Sequence, residues 1–235
     1  MNALVVALVL ILHPNLLAGL AARRRWDQWR AFMLGNTALA LVLFVYAALA
    51  GLLPSVWGSV TGDGLLLALI AGLVPLAAIV GLMFGGPPSV SRDVVASGIG
   101  DLQPRALVYR IGVQVALTTV LCEEFAFRGV LQVLLTRVLP VSNAIIVAAL
   151  VFGSWHIVLQ YNGLASLKGI ARLASALGAA ALYTLLGLEL SLVRQGTGGL
   201  LTPLVTHGVL DVLMFAFMVL RRDGLPRQRP LTTRV

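Results

Sequence analysis

Apolar runs of about 20 residues recur along this chain, and they leave it very few folds to adopt. A run of that length spans about 30 Å of hydrocarbon as a helix, and lipid offers no partners to an open sheet edge. Hydrophobic residues make up 59% of the 235 positions and charged residues only 11%, far outside the range of soluble domains. The short alternating segments of a membrane barrel are not seen. The sequence therefore predicts an all-α fold, a polytopic transmembrane helical bundle of about seven spans.

The expected spans follow one another through short polar connections, apart from one longer insert at 85–110. This insert opens on Gly and Pro residues that break helices, and we expect it to end in a short amphipathic helix at the membrane surface. Residues 1–220 form a single transmembrane domain in this interpretation, and 221–235 form a basic, disordered tail. The spans are expected at about 1–22, 31–53, 65–84, 111–138, 141–159, 173–193 and 200–220.

The basic residues lie at the ends of the apolar runs, where they indicate how the chain is oriented in the membrane. The net charge of +8 and the isoelectric point near 11.0 would also fit a nucleic-acid-binding protein. No single polar face collects these charges, however, and the positive-inside rule accounts for their positions. We expect an N-terminus outside, a cytoplasmic C-terminus, a lipid bilayer as the surroundings and no nucleic-acid partner.

Two adjacent carboxylates, Glu123 and Glu124, lie in the otherwise apolar stretch 111–127. A charged group at the bilayer centre costs at least a few kcal/mol, so this pair indicates a functional site. Arg128 follows Glu124 by four residues on the same helix face, which favours an ion pair between them. Glu123 points about 100° away and is free to act as a general base. A purely structural network of Glu and Arg is the alternative interpretation.

Two later apolar runs also carry polar side chains. His156 ends the segment 152–156, in which two small residues permit close helix packing. His207 and Asp211 are four residues apart and share one face of the last span. Polar groups on three separate apolar helices indicate a shared internal cavity, because each of them would be costly against lipid.

The polar elements together supply a general base, a partner histidine and two possible donors, which hydrolysis by an activated water requires. No Ser and His pair has the setting of a nucleophile, and the helical zinc signature with Glu between two His is absent. Zinc binding remains chemically open, since zinc accepts these ligand types. The four side chains concerned are Glu123, His156, His207 and Asp211.

Two other classes of function account for the same residues. A membrane scaffold or bacteriocin-immunity protein would keep the polar cluster for stability alone. A proton-coupled transporter would use the carboxylates as a proton relay, although the inverted repeats common in transporters are not evident. Replacement of Glu123 by Gln separates the first of these from an enzyme, because a scaffold would keep its function.

The polar elements resemble the signature of the CAAX protease and bacteriocin-processing family of intramembrane endopeptidases, also called the abortive-infection family. Order, spacing and placement on apolar helices agree over about 105–220, roughly half of the chain. The N-terminal spans carry little of the likeness. The matching positions are Glu123 and Glu124 with Arg128, Phe152 with His156, and His207 with Asp211.

The resemblance implies a role for each matched residue. Glu123 and His156 would orient and activate the attacking water, while His207 and Asp211 would form the oxyanion side. Glu124 and Arg128 would support the site. Prenyl-processing members carry Asn at the last position, and an ionised Asp211 would repel a developing oxyanion. Either Asp211 is protonated or it orients His207, and we favour orientation because His207 lies one turn before it.

The resemblance also implies the class of reaction. It indicates an intramembrane, metal-independent endopeptidase that needs no cofactor and cuts a peptide or membrane-protein substrate near the membrane surface. Prenylated substrates are known mainly for eukaryotic relatives, whereas the Ala, Leu and Arg bias of this chain is typical of bacteria. We therefore expect a bacterial plasma-membrane enzyme whose substrate is not prenylated.

Overall fold

The computed structural model describes residues 2–24, 27–58, 66, 70, 72–85, 88–164 and 166–224. Within these ranges the chain is helical and has no β-strand, and Gly58 and Gly199 form an isolated antiparallel bridge. The predicted all-α fold is confirmed. The helices are α1 (Ala3–Arg24), α2 (Gln28–Leu49), α3 (Leu53–Trp57), α4 (Leu73–Gly85), α5 (Pro88–Gly98), α6 (Pro104–Thr136), α7 (Val141–Gly163), α8 (Gly169–Thr197) and α9 (Leu201–Gly224).

Six of these helices are long and apolar enough to cross a bilayer, namely α1, α2, α6, α7, α8 and α9. They correspond to six of the seven expected spans. The remaining expected span, about 65–84, lies partly outside the described residues, and its described part is the 13-residue helix α4. The chain is a polytopic helical membrane protein.

The helix that carries the acidic pair begins earlier than its apolar run predicts. We expected it from about residue 111, but α6 starts at Pro104. Proline is favourable at the first position of a helix, because it has no amide hydrogen that would be left unpaired there. The expected surface helix is therefore continuous with the span, and α5 occupies the earlier part of the insert. The expected tail begins within α9, and its residues from 225 onward lie outside the described part.

On both sides of the acidic pair, α6 is wound more loosely than an α-helix. The segments Arg110–Val120 and Phe125–Leu131 are π-helical, and Leu121–Glu124 forms one α-helical turn between them. π-helical turns are rare and occur mostly at functional sites. Arg128 nevertheless contacts Glu124, as the spacing predicted.

Helix α6 occupies the centre of the bundle, where it contacts α1, α2, α3, α7, α8 and α9. Its fully buried Phe127 packs edge-on against Phe152 and Trp155 of α7, with ring centroids 5.0 and 5.5 Å apart. Many leucines and valines of α1 and α2 are exposed instead, as lipid-facing surfaces require. Polar side chains on α6 consequently point into protein rather than into lipid.

The short helix α3 closes the end of the bundle at which α9 begins. The Leu200 amide donates a hydrogen bond to the Trp57 carbonyl at 3.0 Å, and Arg194 Nη2 donates to the Ser55 carbonyl at 2.7 Å. Gly129 of α6 permits the close approach of α3, because a Cβ there would lie 2.9 Å from Val56 Cγ1. The first turns of α9, which lead to His207, are fixed at this end.

Candidate active site

The three polar elements identified in the sequence meet inside the bundle. Glu123 and Glu124 come from α6, and both are at most 3% exposed. His156 of α7 and His207 of α9 are at most 7% exposed. Asp211 lies one turn after His207, and its side chain is 18% exposed. Helices far apart in the chain thus bring two histidines and three carboxylates together.

A buried network holds the His207 imidazole in place. Glu124 Oε1 accepts hydrogen bonds from Arg128 Nη1 at 2.9 Å and from His207 Nδ1 at 2.7 Å. An ionised carboxylate only accepts hydrogen bonds, so the hydrogen lies on Nδ1 of the histidine. The Arg128 guanidinium also lies 4.1 Å from the centroid of the Phe152 ring, a cation–π contact. Nε2 of His207 is left to face Glu123 and Asp211.

Glu123 lies between the two histidines. Its Oε1 is 3.9 Å from His156 Nε2, and its Oε2 is 4.0 Å from His207 Nε2. Both separations are too long for a direct hydrogen bond. A water oxygen about 2.8 Å from each partner would span either gap. The carboxylate is therefore placed to share a small ligand with either imidazole.

The hydrogen position on His156 follows from its backbone contact. His156 Nδ1 lies 2.8 Å from the Phe152 carbonyl oxygen, which can only accept a hydrogen bond. Nδ1 therefore carries the hydrogen, and in the neutral ring Nε2 keeps a free lone pair. That lone pair faces Glu123, so a molecule held between the two would meet two proton acceptors.

Asp211 does not make the contact that orients His207. Its Oδ2 lies 3.8 Å from His207 Nε2, beyond hydrogen-bond distance, whereas Glu124 holds the opposite ring nitrogen at 2.7 Å. We expected the orienting contact from Asp211, and the structure places Glu124 there. The sequence could not reveal this, because Glu124 and His207 are 83 residues apart.

The two gaps around Glu123 are wider than those between neighbouring ligands of a tetrahedral zinc ion. Nitrogen and oxygen ligands about 2.0 Å from a tetrahedral zinc ion lie roughly 3.3 Å apart, and the gaps from Glu123 to the two histidines are 3.9 and 4.0 Å. Across the described ranges, no group of three or more His, Cys, Asp or Glu side chains could hold a metal ion. A water molecule fits between Glu123 and either histidine.

Sequence reasoning missed three polar residues around this cluster. The Tyr183 ring of α8 stacks on His156, and Gln160 donates a hydrogen bond to the Tyr183 hydroxyl. Gln132 is fully buried, and its amide atoms have no hydrogen-bond partner among the described residues. The spacing of four residues from His156 and from Arg128 could have indicated Gln160 and Gln132. Nothing in the sequence indicated Tyr183, which lies in an ordinary apolar run.

The third histidine, His13, belongs to a different contact. Its Nε2 lies 3.1 Å from Asn36 Oδ1 of α2, and its ring stacks on Trp155 of α7 with centroids 5.1 Å apart. Pro14 follows it within an uninterrupted helix. His13 thus joins α1 to α2 and α7.

The part of the chain that contains the cluster matches a known protein-family model. Residues 105–213 match the family model of type II CAAX prenyl endopeptidase Rce1-like proteins. The matched segment runs from the start of α6 to just beyond Asp211, and it contains every residue of the cluster. No curated protein and no solved structure matches the chain.

Proposed function

Since residues 105–213 match the family model of Rce1-like CAAX endopeptidases, we propose that this membrane protein is an intramembrane endopeptidase whose nucleophile is a water molecule. Glu123 and His156 activate that water. The reaction uses no metal ion and no other cofactor. The substrate is a peptide or a segment of a membrane protein, and cleavage does not require a prenyl group on it.

The observation that carries this proposal is the convergence of Glu123 Oε1 and His156 Nε2 from two helices, 3.9 Å apart. A water held between them donates one hydrogen to each acceptor, and both lone pairs of its oxygen face away from the two acceptors. Attack on a peptide carbonyl transfers one proton from the water to Glu123 or His156, as general base catalysis requires. The same group then returns the proton to the leaving amine.

His207 and Asp211 form the side of the site that meets the developing oxyanion. The Glu124 carboxylate fixes the His207 ring through Nδ1, and Arg128 balances the charge of Glu124. A proton on His207 Nε2 would lie between Glu123 and Asp211, which stabilise a positive charge there. Nε2–H can then donate to the oxyanion, while Asp211 supports the charge rather than donating itself.

The membrane arrangement in this proposal follows the charge asymmetry of the loops. The N-terminus lies outside and the C-terminus in the cytoplasm of a bacterial cell, with most of the 17 basic residues on the cytoplasmic side. Burial of the cluster keeps bulk water away from the reacting groups and strengthens their electrostatic interactions.

The experiment is cleavage of a quenched-fluorescent peptide library by the purified full-length protein in detergent. Wild type is compared with Glu123→Gln, each with and without a chelator, and the library includes matched prenylated and free peptides. Glu189→Gln is the control, because it makes the same change at another glutamate of the bundle. We expect Glu123→Gln to lower the rate at least about 100-fold and the chelator to change nothing.

Three other outcomes would contradict this proposal. Loss of activity on chelation, restored by added zinc, would replace the activated-water mechanism with a metal-dependent one. Cleavage by Glu123→Gln at the wild-type rate would remove Glu123 from the reaction. A folded wild-type protein that cleaves no peptide, while Glu123→Gln retains its function in cells, would favour the scaffold or immunity class.

A further inference from the structure

We propose that Tyr183 is a positioning residue, which holds the His156 imidazole in the plane from which Nε2 faces Glu123. The proposal rests on the proposed function, because it assigns a purpose to the orientation of His156. Tyr183 comes from α8, a helix that supplies none of the residues indicated by the sequence motifs.

The contact between the two rings is close and nearly parallel. Their centroids are 3.8 Å apart and their planes differ by 4°. Aromatic pairs in proteins commonly have centroids 4.5–7 Å apart in offset or edge-to-face arrangements, so this stack is unusually close. Rings packed so tightly cannot tilt past each other without separating. The plane of the His156 ring is therefore set by the plane of the Tyr183 ring.

The hydrogen bond from His156 Nδ1 to the Phe152 carbonyl fixes one ring atom, the Phe152 ring packs at an angle against the imidazole with centroids 4.7 Å apart, and Tyr183 adds a restraint on the ring plane. The ring can still swing about that hydrogen bond, and such a swing changes the distance from Nε2 to Glu123. The stack removes this freedom. The Phe152 carbonyl therefore determines that Nδ1 of His156 carries the hydrogen, and Tyr183 determines the direction in which Nε2 points.

Tyr183 is itself held in place. Gln160 Nε2 donates a hydrogen bond to the Tyr183 hydroxyl oxygen at 3.2 Å, and Gln160 lies one turn after His156 on α7. Phe152 packs against the tyrosine ring at an angle of 69°, with centroids 6.4 Å apart. The phenol is thus fixed relative to the helix that carries His156. Because it stacks on His156, the tyrosine ring borders the site.

Two glycines bring α8 close enough to α7 for this stack. A Cβ at Gly153 would lie 2.6 Å from the Ala180 carbonyl oxygen and still closer to Thr184 Oγ1. A Cβ at Gly187 would lie 3.2 Å from Ala149 Cα. Neither site can carry a larger side chain without moving the helices apart. The approach that puts Tyr183 on His156 is therefore built into the helix crossing.

The test compares three variants of the full-length protein in the peptide assay. Tyr183→Leu removes the flat face, and we expect kcat to fall at least about 10-fold with KM within about 2-fold of wild type. Tyr183→Phe keeps the face and should keep kcat within about 3-fold. Tyr109→Leu is the matched control at an exposed tyrosine near the start of α6, and it should behave as wild type.

Two kinetic results would overturn the proposal. One is a wild-type kcat in folded Tyr183→Leu. The other is an equal loss in Tyr183→Phe and Tyr183→Leu, which would assign the effect to the hydroxyl group instead of the ring face.

An NMR measurement, which does not depend on catalysis, tests the ring stack separately from the proposed endopeptidase function. In NMR spectra of wild-type protein labelled at histidine, the stack should displace the carbon-bound ring protons of His156 upfield by ring current, and a His156→Gln variant assigns the signals. The shift should persist in Tyr183→Phe and in Glu123→Gln. Its absence from wild type refutes the stack even where Tyr183→Leu does not fold. If Glu123→Gln stays active, the proposed function fails although the shift is seen.

Discussion

Replacing Arg128 with leucine should lower the stability of the folded protein by about 3 kcal/mol, because the change leaves the Glu124 carboxylate in an apolar interior without its cation. Arg128 is 1% exposed, and its Nη1 lies 2.9 Å from Glu124 Oε1. Leucine keeps much of the apolar volume against Phe152. The charge and its hydrogen bond are therefore the main losses.

The magnitude follows from what remains around Glu124. Removing one partner of a buried ion pair typically costs about 3–5 kcal/mol. Glu124 keeps the hydrogen bond from His207 at 2.7 Å, so the lower end of that range applies. In a Glu124→Gln background no carboxylate is left unpaired, and Arg128→Leu should cost about 1 kcal/mol or less. The double-mutant cycle should then give a coupling of about 2 kcal/mol between the two residues.

The assay is reversible unfolding of the four proteins of this cycle in mixed detergent micelles, followed by tryptophan fluorescence. Arg137→Leu is the matched control, because Arg137 is exposed just beyond the end of α6 and should change stability by about 0.5 kcal/mol or less. An Arg128→Leu protein as stable as wild type would refute the reasoning. Equal costs of Arg128→Leu in both backgrounds would refute it too, since they would mean that Glu124 and Arg128 are not coupled.

Two further changes test the site and the helix crossing. Asp211→Asn should lower kcat in the peptide assay about 10-fold, because it removes one of the two carboxylates that stabilise a proton on His207 Nε2. An unchanged or higher kcat would instead indicate that residue 211 donates directly to the oxyanion. Gly153→Ala should destabilise the protein by about 1–3 kcal/mol, because the added Cβ overlaps Thr184 and the α8 backbone. Gly178→Ala, where nothing lies within 4 Å of the added atom, should be neutral or stabilising by up to about 1 kcal/mol, and equal melting temperatures of both variants would contradict the crossing.

Hydropathy was sufficient to predict the all-α membrane bundle, because the backbone has few ways to satisfy its hydrogen bonds in lipid. The contact between Glu124 and Arg128 was also predictable, since it depends only on spacing along one helix. The predicted positions of the helix ends were less accurate. Hydropathy does not register where a proline such as Pro104 starts a helix before the apolar run begins.

The contacts between helices were beyond the sequence alone. The cost of polar groups in lipid indicated that the acidic pair, His156 and His207 share one site, and the family likeness supported that grouping, but neither gave the contacts. Which carboxylate holds His207 depends on the crossing of α6 and α9, and the answer is Glu124. The stack of Tyr183 on His156 likewise depends on how closely α7 and α8 approach each other, and the spacing of apolar residues in the sequence does not indicate that distance. The π-helical winding of α6 was missed because its residues also suit an α-helix.

The central claim is that Glu123 and His156 act on one water molecule. The most direct test measures kcat/KM for a single peptide substrate with wild type, Glu123→Gln, His156→Gln and the double variant. Residues that act as a unit have strongly non-additive effects. We predict that each single change lowers kcat/KM about 100-fold or more, and that the double variant is no slower than the slower single variant. Losses that multiply in the double variant, or a single variant with wild-type kcat/KM, would contradict the claim.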